Sequence, residues 1–303
     1  MTELSVPHTA ILIASGVFGL VIGSFLNVVA YRVPAGISLM RPSQCPSCDA
    51  PVRPWQNVPV LSWLALRGRC ARCHAGISVR YPLIEIGAGA LFAVVVGWAI
   101  TSAHPAPAAP AITMPASFAD AWQSLADADP WTAPPAALGV ALLAGLWFVA
   151  TGFVLTIIDI ETRRLPAGIV RTALVAITAL LALSCALGAD WWAFVRALLG
   201  MLLLYLFYAL LWIAKPGGMG GGDVRLAGLV GLVLGWFGWA ALIVGAFAAF
   251  VVGGVYGIAL MLTGRATRRS AVPFGPWMIV GAVIGAVAGA RIGEWYLSLL
   301  WVG

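Results

Sequence analysis

The chain has 303 residues, 62% of them hydrophobic and 9% charged, with a mean hydropathy of +0.99 and a formal charge of +6. A water-soluble domain carries roughly 25% charged residues, so this composition excludes one and calls for an integral membrane protein. The positive charge does not mark a nucleic-acid partner, because the seventeen Lys and Arg fall mostly between apolar runs rather than along one face.

A helix needs about 20 mostly apolar residues to cross a bilayer. Such runs occupy 9–30, 83–101, 137–158, 168–188, 192–213, 224–237, 239–262 and 274–301, which predicts an all-α polytopic protein with about eight transmembrane helices. The first run follows no basic segment and precedes no small-residue cleavage site, and is read as a retained span rather than a removed signal peptide.

Between the first two runs stand Cys45-Pro-Ser-Cys48 and Cys70-Ala-Arg-Cys73. Two Cys-x-x-Cys knuckles resemble a zinc ribbon, although the 21 residues between them slightly exceed the usual spacing. Each knuckle can turn two thiolates toward one tetrahedral Zn2+ at about 2.3 Å. Four thiolates close the coordination shell, so the metal expected at Cys45, Cys48, Cys70 and Cys73 is structural and supplies much of the folding free energy of a segment too small for a core of its own. Disulfides are the alternative, and the compartment decides between the two. His74 is expected at the surface, and Cys185, alone in an apolar run, in the core. The same insertion holds seven arginines and no lysine, which suits anionic lipid headgroups, a charged substrate or a plain solvated loop equally well.

The stretch 102–136 is rich in Ala and Pro, carries Asp120, Asp127 and Asp129, and has no Lys or Arg. It reads as a poorly structured loop with at most a short amphipathic piece. The third run then ends in Ile158-Asp159-Ile-Glu-Thr-Arg-Arg-Leu-Pro166, and the sixth opens after Gly217-Gly-Met-Gly-Gly-Gly-Asp223. That sixth run is short, and Gly-Trp-Phe-Gly-Trp at 235–239 divides it only weakly from the seventh. A broken or re-entrant segment, with six or seven spans in all, is the alternative.

The connections 31–82, 159–171, 214–225 and 263–273 hold seven, three, two and three Lys/Arg, fifteen of the seventeen; Arg196 and Arg291 are the others. By the positive-inside rule these connections, including the four-cysteine loop, are cytoplasmic and both chain ends face outward. The chain is thereby divided into a first span (1–30), a cytoplasmic four-cysteine domain (31–82), a second span (83–101), an outer loop (102–136) and a membrane core (137–303). A reducing cytoplasm favours metal over disulfides. Asp159 and Asp223 fall on the same side, whichever way the later spans are counted.

A carboxylate at a membrane boundary loses hydration and must find a partner, water or a proton. Two close together share one proton and can work on one water, one taking its proton while the other donates to a carbonyl oxygen, as amide hydrolysis requires. The glycines before Asp223, Gly220 and Gly222 among them, permit close backbone approach and room for an extended substrate. The structural alternatives are that Asp223 N-caps a helix starting at Val224 and that Asp159 pairs with Arg163 at i+4. Glu161 reads as a loop charge.

Several blocks, taken in order, resemble the type IV prepilin peptidases, the bifunctional leader peptidase/N-methyltransferases of pilus and type II secretion systems. They are Gly23-Ser-Phe-Leu-Asn-Val-Val-Ala-Tyr-Arg-Val-Pro34, the first cysteine pair, Asn57-Val-Pro-Val-Leu-Ser-Trp-Leu-Ala-Leu-Arg-Gly-Arg-Cys70, Ile77-Ser-Val-Arg-Tyr-Pro-Leu-Ile-Glu85, Ile158-Asp159 with Leu165-Pro166, Gly218-Met-Gly-Gly-Gly-Asp223 and Pro273-Phe-Gly-Pro276. The resemblance covers nearly all of the chain except 102–136. It implies a GxGD-type intramembrane aspartyl protease, with 137–303 as the peptidase core, Gly220, Gly222 and Asp223 matching the motif and Asp159 matching the first catalytic aspartate. It further implies a multi-pass protein of the bacterial inner membrane, with prepilins and pseudopilins as partners beside the membrane lipids. These are cut on the cytoplasmic side of their hydrophobic segment, after a glycine, and the new N-terminal amine is methylated from S-adenosylmethionine. Four such cysteines accompany a zinc-binding cytoplasmic domain in full-length members.

Two departures stand out: Ala167 follows Leu-Pro where relatives have Asp or Asn, and Arg225 replaces the common Lys. No Gly-x-Gly-x-x-Gly turn follows a strand, so the methyl donor is assigned no residues. Asn27, Arg32, Asn57, Arg80 and Glu85 flank the cysteine loop, and solvated or lipid-facing roles account for them as well as cofactor contact does. The rivals to an enzyme are a transporter or channel with broken helices and a zinc-bearing membrane scaffold.

Overall fold

A computed structural model describes residues 6–103, 130–215, 219–265, 267 and 273–300. Most of the expected outer loop, with its amphipathic piece, lies outside the described residues, as do Gly217 and Gly218 of the glycine turn. Nine helices are described: α1 (Val6–Arg32), α2 (Leu61–Ala65), α3 (Arg80–Ser102), α4 (Pro135–Thr162), α5 (Ala167–Ala186), α6 (Trp191–Ala214), α7 (Gly221–Phe237), α8 (Trp239–Leu262) and α9 (Gly275–Leu300). Among the described residues there are no strands, only two isolated bridges in the cysteine insertion. The architecture is the expected all-α one.

All but α2 and α7 are long and apolar enough to cross a membrane. Helix α7 has 17 residues, the short end of the spanning range, and is buried from Val224 to Trp236 apart from Arg225. It is separate from α8. Gly238 closes one helix and opens the next at φ 136°, a conformation that residues with a Cβ rarely adopt, and this turns the weak divider into a real break.

The chain forms two compact units, 1–102 with 149–158, and 103–148 with 159–303, so that α4 gives its middle to the first and its ends to the second. In the first unit α1 packs on α3. A methyl group at Gly19 would stand 2.8 Å from the Ala88 carbonyl oxygen, and one at Gly23 2.7 Å from the Glu85 Cα. In lipid no hydrophobic force drives helices together, and such small residues let backbones approach until dispersion and dipoles hold them.

In the second unit two further pairs meet in the same way. Gly200 of α6 lies against Gly231 and Gly235 of α7, and Ala241 and Gly245 of α8 lie against Gly281, Gly285 and Gly289 of α9. Arg196, fully buried on α6, donates from Nε and Nη2 to the Gly235 and Trp236 carbonyls at 2.8 and 2.9 Å. It thereby satisfies carbonyls that the end of α7 leaves without intrahelical partners. The Ser184 hydroxyl ties α5 to the start of α4 through the Ala137 carbonyl at 2.8 Å. Leu202, Leu203, Leu206, Leu210 and Ile213 are left exposed on α6, a face fit for lipid.

Candidate active site and metal centre

Helix α4 ends where Arg163 takes a left-handed conformation (φ 53°) and its N–H bonds back to the Asp159 carbonyl at 2.9 Å. The chain then reaches Leu165, held away from helical geometry by Pro166, which caps α5. Asp159 is thus presented from the last turn of α4 and is 5% exposed. Its Oδ2 accepts the N–H of Gly275 at 3.1 Å, rather than serving the i+4 pair with Arg163. Gly275 opens α9, and the next residue, Pro276, has no N–H to offer. Asp159 therefore takes one of the few free donors at the positive end of that helix.

Asp223 is built differently. Helix α7 starts at Gly221, not at Val224, so Asp223 lies in its first turn rather than capping it from outside. Its Oδ2 accepts the Gly220 N–H at 3.0 Å. Each aspartate is thus anchored through one oxygen by a backbone N–H at a helix N-terminus. Each keeps a second oxygen.

The two anchors converge. A methyl group at Gly222 would stand 2.8 Å from the Leu165 Cβ; one at Gly275 would stand 2.8 Å from Asp159 Oδ2 and 3.4 Å from the Leu165 Cδ2. The Leu165 side chain therefore sits between the glycine before Asp223 and the glycine that holds Asp159, and the two carboxyls lie within electrostatic reach of one another. Gly220 and Gly222 lie in this turn with Asp223. The sequence reading missed Gly275 as donor and Leu165 as spacer, although both fall in motif blocks. The lack of an N–H at Pro276 is the signal by which Gly275 could have been found.

The four cysteines meet in the other unit, through two turns of matching design. Asp49 and His74, each just past a knuckle, take φ 52° and 58° and donate their N–H groups to the Cys45 and Cys70 carbonyls. Cys45 and Cys70 donate in turn to Ala50 and Ala75 at 2.9 and 2.8 Å. His74 is exposed and Cys185 is buried in α5. Arg32, at the end of α1, steadies the approach by donating to the carbonyls of Ser38, Leu39, Arg41 and Pro42.

The sulfurs of Cys45, Cys48, Cys70 and Cys73 all lie within 4.8 Å of one another, and those of Cys45 and Cys73 are 3.8 Å apart. Sulfurs bound tetrahedrally at about 2.3 Å stand about 3.8 Å apart, so the cluster fits such an ion. The Cys70 thiol is pulled down to about 6, chiefly by the N–H groups of Cys73 and Arg72. Cys73 is pushed up to about 11: the Ala75 N–H pulls it down, but the Cys48 sulfur, desolvation, and the Cys70 and Cys45 sulfurs outweigh that. Among the described residues no strand leads into a glycine-rich turn, so no residues are assigned to S-adenosylmethionine.

Residues 17–99 match the Bacterial Peptidase A24 N-terminal domain, and residues 146–258 match the Type IV leader peptidase family. A prepilin leader peptidase/N-methyltransferase of Stutzerimonas stutzeri is 29% identical over 95% of this chain and 94% of its own. Proteins of the same name from Aeromonas hydrophila and Bacillus subtilis (strain 168) are 33% and 28% identical, each over 93% of this chain and over 92% and 96% of their own. No solved structure matches the chain.

Proposed function

The chain belongs to the type IV leader peptidase family, and we propose that it cleaves the leaders of prepilins and pseudopilins at the cytoplasmic face of the bacterial inner membrane, using Asp159 and Asp223. The observation that carries this reading is that Gly222, beside Asp223, and Gly275, the donor to Asp159, meet on the Leu165 side chain, with each carboxyl fixed by a backbone N–H through one oxygen. The second oxygens are left for a shared water and for the scissile carbonyl. One carboxylate takes a proton from the water as it attacks, and the other, protonated, donates to the carbonyl oxygen. As the C–N bond breaks, the proton taken from the water passes to the leaving amine and the hydroxyl proton of the intermediate returns to the second carboxylate. Gly221, where a methyl group would meet nothing within 4 Å, leaves room for an extended substrate beside the site. The names of the relatives favour this enzyme over a transporter or a scaffold.

The same names support N-methylation of the new N-terminus with S-adenosylmethionine as donor. The four-cysteine cluster would hold Zn2+ as a structural ion, outside the hydrolytic step. Separate Asp159→Asn and Asp223→Asn variants test the peptidase reading. Each is shown to be inserted and folded, then co-expressed with a prepilin whose N-terminus is read by mass spectrometry. Cleavage should fall at least about a thousandfold in both. Full cleavage by either would remove the aspartyl mechanism, and the mass of the mature N-terminus reports whether a methyl group is added.

A further inference from the structure

The seam between α6 and α7 brings one more polar group to this site. Gly235 of α7 faces the Arg196 carbonyl and the Ala197 Cα of α6, and Gly231, one turn earlier, faces Gly200, one turn later. Continuing this antiparallel register by whole turns sets position 227 against 204 and position 223 against 208. Asp223 is thereby placed opposite Tyr208.

Tyr208 is 1% exposed, and its ring packs at 5.5 Å from that of Phe250 and 6.3 Å from that of Phe274. Phe274 directly precedes Gly275, the donor to Asp159, so this ring lies between the mounts of both acids. A buried tyrosine hydroxyl ordinarily has a hydrogen-bond partner. Among the described residues the Tyr208 hydroxyl has none, yet the only fully enclosed side-chain polar atom without a partner there is Trp277 Nε1. The phenol oxygen is thus left for a partner in the site, and the charge of Asp223 acts on it.

We propose that Tyr208 is a positioning residue of the peptidase site, its hydroxyl donating to the Asp223 carboxylate once substrate is bound and turning the other oxygen of that carboxylate toward the scissile peptide. The inference rests on the aspartyl reading above. It predicts an effect carried by the turnover step, because orientation of the acid matters in the transition state and not in leader binding.

The test uses full-length protein in detergent micelles, with a purified prepilin as substrate and Tyr208→Phe as the variant, which keeps the ring and its packing. Its kcat should fall about ten- to a hundredfold, with KM unchanged. Phe250→Leu, which trims the same ring cluster without removing a polar atom, should lose clearly less. An unchanged kcat in Tyr208→Phe, a loss carried by KM, or an equal loss in Phe250→Leu would overturn the proposal. Asp223→Asn measured alongside separates the two readings: if it is inactive while Tyr208→Phe is fully active, the dyad stands and Tyr208 has no part in it.

Discussion

At Gly275 a backbone N–H and the absence of a side chain act together. The N–H holds Asp159, and a methyl group there would stand 2.8 Å from the very oxygen it holds. Gly275→Ala should therefore push the carboxyl aside while leaving the helices intact. Misplacement of a reacting group by about 1 Å costs on the order of a hundredfold, and a loss of at least about tenfold in cleavage rate is expected at unchanged circular dichroism. The two aspartates could be read from the sequence because a charge in so apolar a chain stands out. Their partners could not: a main-chain donor has no letter of its own, and Gly275 lies 116 positions from Asp159. The letters also allowed an outside cap for Asp223 and an ion pair for Asp159, since both depend on where a helix begins or ends by one turn.

Helix existence followed from the length of each apolar run, and the four thiols from their spacing. The roles of the glycines did not. Gly235 and Gly139 are the same letter, yet a methyl group at Gly235 would meet the Arg196 carbonyl oxygen at 2.6 Å and the Ala197 Cα at 2.9 Å, while at Gly139 it would meet nothing within 4 Å. Gly235→Ala should accordingly destabilise the α6–α7 pair by about 1–3 kcal/mol, read as a lower unfolding midpoint in detergent. Gly139→Ala should not lower it, since alanine also favours the helix. Arg196 was legible only as an exception to the charge pattern. Its burial and its two carbonyl partners follow from the end of α7, whose acceptors would otherwise stay unpaired away from water.

Across the whole molecule, the uneven spread of positive charge carried most of the topological reading, and the cysteine insertion most of the expectation of metal. The full chain should bind about one Zn2+, and Cys45→Ser and Cys70→Ser should each lower the metal content. Binding requires the thiols to give up protons, so occupancy should fall as the pH is lowered, which metal analysis across a pH series would show. Unchanged stoichiometry in both variants would refute a four-thiolate centre. The matched turns at Cys45 and Cys70 have a consequence for connectivity: with an ion between them, the chain from one knuckle to the other becomes a closed ring. A single break of the backbone inside that ring would release no fragment, and the new ends would stay tethered until the ion left.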